Sequence, residues 1–84
     1  MDYIKELDAF YYQVETNPLS SSAFSLWHVL LHINDRTGWK KQFPVAALVL
    51  RTKAGLGESA FKRARKELQE TGYISFESRT GNSL

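Results

Sequence analysis

The sequence of 84 residues contains no cysteine, only two prolines and only five glycines. Without cysteine the chain has no disulfide, no thiolate metal ligand and no cysteine nucleophile. The apolar runs at 24–31 and 43–50 are both interrupted, and they fall short of the roughly 18 to 20 residues that a membrane-spanning helix needs. The acidic N-terminus lacks the pattern of a signal peptide. We therefore expect one small, soluble, intracellular domain.

Charge is unevenly distributed along the chain, although the net charge is only +2. Residues 1–35 hold one lysine and five carboxylates, for a net charge of −4, whereas residues 36–84 hold ten cations and four carboxylates, for a net charge of +6. This asymmetry assigns any contact with a polyanion to the second half of the chain. The alternative, which charge alone favours, is an ordinary surface on which the charges are unevenly spread by chance. Hydrophobic residues make up 43% of the sequence, which is enough for a folded core.

Apolar residues recur at three- and four-residue steps over most of the chain, which predicts four helices. The first covers 2–16 and ends before Pro18, because proline disfavours a helical conformation in the residue before it. The second follows the serines at 20–22, which offer hydroxyl oxygens to the first turn. The third and fourth helices cover 46–53 and 58–71.

The end of the chain combines two helices, a short break and a strand pattern. Gly55-Leu56-Gly57 separates the last two helices, which predicts a helix-turn-helix. Strand-forming residues at 73–78, followed by turn residues at 80–83, predict a wing. We therefore expect a mainly α fold with a small β wing (α+β). It is one domain over residues 1–84, with an extra N-terminal helix at 1–17 and a winged helix-turn-helix at 19–84, and we expect it to be the N-terminal fragment of a longer protein.

The fourth predicted helix has an apolar side and a basic side. Successive steps of 100° place its apolar residues 61, 64 and 68 inward. The outward stripe then contains the candidate DNA-binding residues Ser59, Lys62, Arg63 and Lys66, and Arg79 in the predicted wing joins them. Lysine and arginine on such a helix neutralise phosphates. The alternative is a solvated basic face on an ordinary core helix.

The first predicted helix carries more apolar residues than one packed face needs. Because exposed aromatic residues are typical of interfaces, we expect a homodimer or a higher oligomer that buries them. The candidate interface residues are Tyr3, Leu7, Phe10, Tyr11 and Tyr12. The alternative is a monomer in which this helix only covers the core.

Catalysis, a metal and a cofactor have little support in this sequence. His28 and His32 lie one helical turn apart, but no third ligand is near them in sequence. Gly55 to Ala60 fits a loose dinucleotide-binding pattern, yet no strand leads into Gly55. No serine–histidine–aspartate set is evident. We therefore expect a non-enzymatic protein with no cofactor and no metal.

Three segments of the sequence match a known protein family and have the same relative positions as in that family. They are Leu26-Trp27-His28, Gly55-Leu56 and Arg63-Ala64-Arg65. With them, almost the whole chain resembles the N-terminal winged-helix module of DnaD-type replication-initiation proteins, above all the phage and prophage replisome organisers. The family usually has serine where this chain has Gly57. The resemblance implies a bacterial or phage-encoded cytoplasmic protein that self-associates, with a separate C-terminal domain for DNA and helicase-loading partners.

The predicted function is therefore a non-enzymatic DNA-replication initiation module. It contacts double-stranded DNA weakly and without sequence preference through the basic helix, and it serves as a scaffold for assembly. No membrane contact is expected. One alternative is an oligomerisation module of winged-helix shape with no DNA contact of its own. Another is a winged-helix transcriptional regulator.

Overall fold

Four α-helices form the part of the protein that a computed structural model describes, residues 3–36 and 46–74. They are α1 (Tyr3–Thr16), α2 (Ser21–Arg36), α3 (Ala47–Ala54) and α4 (Glu58–Glu70). These bounds lie within a few residues of those that the apolar periodicity predicts. None of the described helices is long and apolar enough to cross a membrane.

The expected mixed fold class, mainly α with a small β wing, is wrong. Residues 3–36 and 46–74 form an all-α fold that contains no strand. Tyr73 and Ile74, at the start of the predicted strand, instead complete the end of α4. Gly72 turns the chain with a positive φ of 84°, and the next two backbone N–H groups both donate to the Leu68 carbonyl, at 2.8 and 3.2 Å. The rest of the predicted wing, 75–84 with Arg79, lies outside the described residues.

The core is centred on α2, which packs against both α3 and α4. Its inward residues follow the three- and four-residue steps of an amphipathic helix. The buried cluster that joins the three helices consists of Ala23, Leu26, Leu30, Leu50, Phe61, Ala64 and Leu68. All three inward residues predicted for the basic helix belong to this cluster, so the predicted inward face of α4 is confirmed.

Aromatic rings hold α1 on the outside of α2. The ring of Phe10 stacks on Trp27 with 3.6 Å between centroids and 7° between planes, and Phe10 is only 3% exposed. Phe24, His28 and Tyr73 surround the same ring at 5.3 to 5.5 Å. Because these contacts are aromatic and specific in geometry, they fix the position of α1 on the core.

His28 joins this cluster through both of its ring nitrogens. The Nδ1 of His28 lies 2.8 Å from the Phe24 carbonyl oxygen. A carbonyl oxygen can only accept a hydrogen bond, so Nδ1 carries the proton and donates. In the neutral ring the other nitrogen, Nε2, is then left to accept, and the Tyr11 hydroxyl lies 3.4 Å from it. His28 is thus a packed residue at the junction of α1 and α2, and the described residues contain no group of three or more side chains suited to a metal ion.

Candidate nucleic-acid interface

The turn between α3 and α4 is short and covers residues 55–57. Gly55 ends α3 with φ of 72°, a left-handed conformation that glycine adopts without strain. The Leu56 N–H donates to the Arg51 carbonyl at 2.9 Å, and the Leu56 side chain packs against the buried cluster. Gly57 is the N-cap of α4 and offers no side-chain hydrogen bond to it. The turn is therefore short and anchored, and α4 begins directly after it.

The outward face of α4 lies opposite its buried residues. With Phe61, Ala64 and Leu68 inside, the 100° step of the helix places the candidate DNA-binding residues on the far side. All four of the described candidates, Ser59, Lys62, Arg63 and Lys66, are exposed there. Arg79, the fifth candidate, lies outside the described residues.

Only one cation of this face is paired with a carboxylate in the described part of the chain. The Lys62 ammonium lies 3.2 Å from the Glu58 carboxylate, and both side chains are about two-thirds exposed. Such an exposed pair contributes little to stability and is readily exchanged for another anion. Arg63 and Lys66 have no carboxylate partner among the described residues, so both offer their full charge to a ligand.

Two further arginines of the described helices are half-buried. Arg65 is half-buried and its guanidinium lies 5.3 Å from the centroid of the Phe61 ring, one turn earlier on α4. Arg51 on α3 is also half-buried, and its Nε has no hydrogen-bond partner among the residues that the structure describes. The outward stripe identified from the sequence contains neither residue, because Arg65 lies next to the apolar side of α4 and Arg51 belongs to α3.

Polar contacts fix the other end of α4 to the linker between α1 and α2. The Glu67 carboxylate accepts hydrogen bonds from the Ser20 backbone N–H and hydroxyl, both at 2.7 Å. The Ser20 hydroxyl in turn accepts from the Ala23 N–H at 3.2 Å, so Ser20 is the N-cap of α2. Sequence reasoning found the serines as capping residues but missed Glu67, since no local pattern links positions 47 residues apart.

Asn17 and Tyr73 complete this set of contacts. The Asn17 side-chain amide donates to the Thr71 carbonyl at 3.2 Å, and the Tyr73 hydroxyl donates to the Asn17 carbonyl at 2.8 Å. Burial raises the pKa of the Tyr73 phenol above its ordinary value. The C-terminal end of α4 is thus held at a fixed position against the linker between α1 and α2, which orients the cationic face of α4.

The five candidate interface residues of α1 fall into different environments. Phe10 is buried inside its own chain, and Tyr3 and Leu7 are half-buried. Tyr11 and Tyr12 are 46% and 73% exposed. Because consecutive residues are 100° apart, these two tyrosines point in different directions, and only the Tyr11 ring touches α2.

No family model, curated protein or solved structure matches this chain. The candidate interface is therefore interpreted from its own residues, namely their exposure, charge and position on α4. The resemblance to DnaD-type proteins stays a prediction.

Proposed function

We propose that this protein is a non-enzymatic, cytoplasmic module of bacterial or phage DNA-replication initiation, and that it contacts duplex DNA through α4. The observation that carries the proposal is the exposed face with Lys62, Arg63 and Lys66, two of which have no carboxylate partner in the described part of the chain. A helix of this kind fits the major groove of B-DNA. The place in replication initiation rests on the sequence resemblance alone.

Non-specific phosphate contact accounts for this set of residues better than base reading does. The face consists of flexible lysines and one arginine, and Glu58 and Glu70 flank it at the two ends of α4. Carboxylates at these positions oppose the phosphate backbone and weaken binding. We expect a dissociation constant on the order of 10⁻⁴ to 10⁻⁶ M at physiological salt, with little dependence on sequence.

Titration of the 84-residue chain with duplex DNA at several salt concentrations tests the proposal. The triple change of Lys62, Arg63 and Lys66 to glutamate abolishes binding if α4 contacts the backbone. Single neutral changes, such as Arg63→Gln, reduce the slope of log affinity against log salt by about 0.9 for each phosphate that is no longer neutralised.

Lys5→Gln is the matched control, because Lys5 is an exposed cation on α1, away from α4. It leaves the affinity and the salt slope unchanged. Equal affinity of the parent and the triple variant overturns the proposal. In that case the chain is the alternative, an assembly module with no DNA contact of its own.

A further inference from the structure

An open cleft lies along α2, between α1 and the C-terminal end of α3. Its volume is about 350 Å³, and the described residues that line it are Phe24, Ser25, His28, Val29, Lys53 and Ala54. The helical step of 100° places Phe24 and His28 towards α1 and Val29 towards α3. Apolar side chains therefore line the cleft on both sides of α2, and α4 contributes none of the described lining residues.

The shape of this cleft suits a helix better than a small molecule. A small-molecule pocket covers most of the surface of its ligand, whereas this cleft is open to solvent along α2. A groove with apolar residues on its floor is the kind of surface that binds an amphipathic helix, whose anchoring side chains recur at steps of three and four residues.

The α1 side of the cleft is acidic. The Tyr11 ring lies 5.6 Å from the Phe24 ring and 6.0 Å from the His28 ring, so Tyr11 stands at this side of the cleft. Asp8 precedes Tyr11 by three residues and Glu15 follows it by four, which places all three in one row along α1. All three side chains are exposed, and the row is called the acidic edge below.

The α3 side of the cleft is basic. Lys53 lines the cleft, is exposed and has no carboxylate partner among the described residues. α3 as a whole contains two cations and no carboxylate. Val49, one helical turn before Lys53, is 43% exposed and extends the apolar surface on this side. The two sides of the cleft therefore carry opposite charges.

We propose that this cleft binds an amphipathic helix of another protein, and that the helix has cations on one flank of its apolar stripe and carboxylates on the other. The apolar stripe covers Phe24 and Val29. The cationic flank lies along the acidic edge, and the carboxylates approach Lys53. The acidic edge and the turn before it, from Ile4 to Glu15, span about 16 Å, which corresponds to about three turns of the bound helix.

Charge complementarity favours this occupant over two others. A nucleic acid fits poorly, because the carboxylates of the acidic edge repel phosphates. A helix from a second copy of this chain also fits poorly. α1 has one cation and three carboxylates, and α3 has two cations and no carboxylate, so neither helix has balanced flanks of opposite sign.

Synthetic helices test the proposal. The bipolar peptide has leucines at steps of three and four residues, lysines on one flank, an equal number of glutamates on the other, and therefore no net charge. Two matched peptides keep the leucines and carry lysines on both flanks or glutamates on both. In fluorescence anisotropy with the 84-residue chain and no DNA, the bipolar peptide binds on the order of tenfold more tightly than either, because each of the others meets one side of like charge.

Two pairs of variants place the helix in the cleft. Lys53→Glu reverses the order of affinities, so that the all-lysine peptide binds most tightly, since both sides of the cleft are then acidic. Thr52→Glu is the matched control, because Thr52 is exposed but lies 100° away on α3, and it keeps the parent order. Tyr11→Ser weakens binding of the bipolar peptide, whereas Tyr12→Ser, on another side of α1, does not. Circular dichroism checks that the variants keep the parent helix content.

Four results would overturn the proposal. The first is equal affinity of the three peptides, and the second is an order of affinities that Lys53→Glu leaves unchanged. The third is displacement of the bipolar peptide by duplex DNA, which assigns the cleft to a nucleic acid. The fourth is self-association of the chain that Lys53→Glu abolishes, which assigns the cleft to a second copy. The first two leave the proposed DNA contact untouched, because α4 contributes none of the described residues that line the cleft.

Discussion

The Glu67 carboxylate accepts both polar hydrogens of Ser20, from the backbone N–H and from the hydroxyl, at 2.7 Å each. The carboxylate also lies at the N-terminus of α2, where the helix dipole favours negative charge. One side chain thus satisfies an N-terminal backbone group of α2 and fixes the C-terminal end of α4. These two effects make Glu67 important for the stability of the fold, although it lies within one turn of the exposed cations of α4.

Removal of either partner of this interaction should destabilise the protein measurably. Glu67→Gln and Ser20→Ala should each lower the free energy of unfolding by about 1 kcal/mol, because a charge-assisted hydrogen bond or an N-cap is removed. The double variant should lose less than the sum of the two, since both changes remove one interaction. Urea titrations of the four proteins measure this coupling. Glu70→Gln, also exposed near the end of α4, should change the free energy of unfolding by less than about 0.5 kcal/mol.

The buried face of α4 makes a second prediction. Leu68 is fully buried in the cluster with α2. Leu68→Ala should therefore destabilise the protein by about 2 to 5 kcal/mol through lost transfer energy and the cavity that remains. Leu48→Ala is the matched control, because Leu48 is 66% exposed. If thermal unfolding shifts equally in the two variants, the inward face of α4 is assigned wrongly.

A substitution in the turn before α4 should increase the stability of the protein. Gly57 has φ of −72° and ψ of 171°, which any residue adopts, and a Cβ added there meets no atom within 4 Å. Gly57→Ser should stabilise the protein by about 0.5 to 1 kcal/mol, because the serine hydroxyl caps α4 and the unfolded chain loses freedom. Gly55→Ser should destabilise it by about 1 kcal/mol, since a φ of 72° strains any residue with a Cβ. A melting temperature of Gly57→Ser at or below that of the parent would contradict this account.

The ion pair between Glu58 and Lys62 predicts a change in DNA affinity. Glu58→Gln removes the carboxylate that competes with phosphate for the Lys62 ammonium, so DNA binding should strengthen about two- to threefold at low salt. The same change should cost a few tenths of a kcal/mol of stability, because a negative charge at the N-terminus of α4 is removed. Fluorescence anisotropy with labelled duplex measures the first effect. Asp8→Asn, which removes a carboxylate of α1, is the control and should leave the affinity unchanged.

The burial of Tyr73 allows a prediction of how the free energy of unfolding changes at alkaline pH. Its pKa is raised in the folded protein by burial, and its hydroxyl donates a hydrogen bond to the Asn17 carbonyl. The neutral phenol is therefore favoured by folding. Its contribution is complete below the unfolded pKa of about 10 and is lost as pH rises through the higher folded value. Urea unfolding between neutral pH and about pH 11 should show a decline in the parent that is smaller in Tyr73→Phe, whereas Tyr12→Phe should behave as the parent does.

Local patterns were sufficient to predict the helices but not their partners. The bounds of α1 to α4, the turn at Gly55 and the inward residues of α4 all follow from periodicity and from residues with special backbone preferences. The contact between Glu67 and Ser20 joins distant positions, and no sequence rule connects them. The sequence also did not reveal the partners of Phe10. It was a candidate interface residue because it is aromatic, but it is buried inside its own chain.

The first two residues of the predicted β wing show how tertiary context overrides local propensity. Tyr73 and Ile74 are both strand-forming residues, which favours an extended conformation. In the structure, the positive φ of Gly72 turns the chain so that the N–H groups of both residues donate to the Leu68 carbonyl. The Tyr73 ring packs on Phe10. The hydrogen bonds to the helix terminus and the burial of the ring outweigh a weak preference for strand.

The face-to-face stack of Phe10 and Trp27 also bears on how α1 separates from the other helices. α2, α3 and α4 share one buried cluster, whereas α1 is attached through rings and the linker at its end. We therefore expect α1 to have a lower local stability than α4, so that its backbone amides exchange with solvent before those of α4. When α1 leaves, the indole of Trp27 loses the ring that covers it. The emission of Trp27, measured in a Trp39→Phe background, should thus report an opening of α1 that precedes the cooperative melting of α2, α3 and α4.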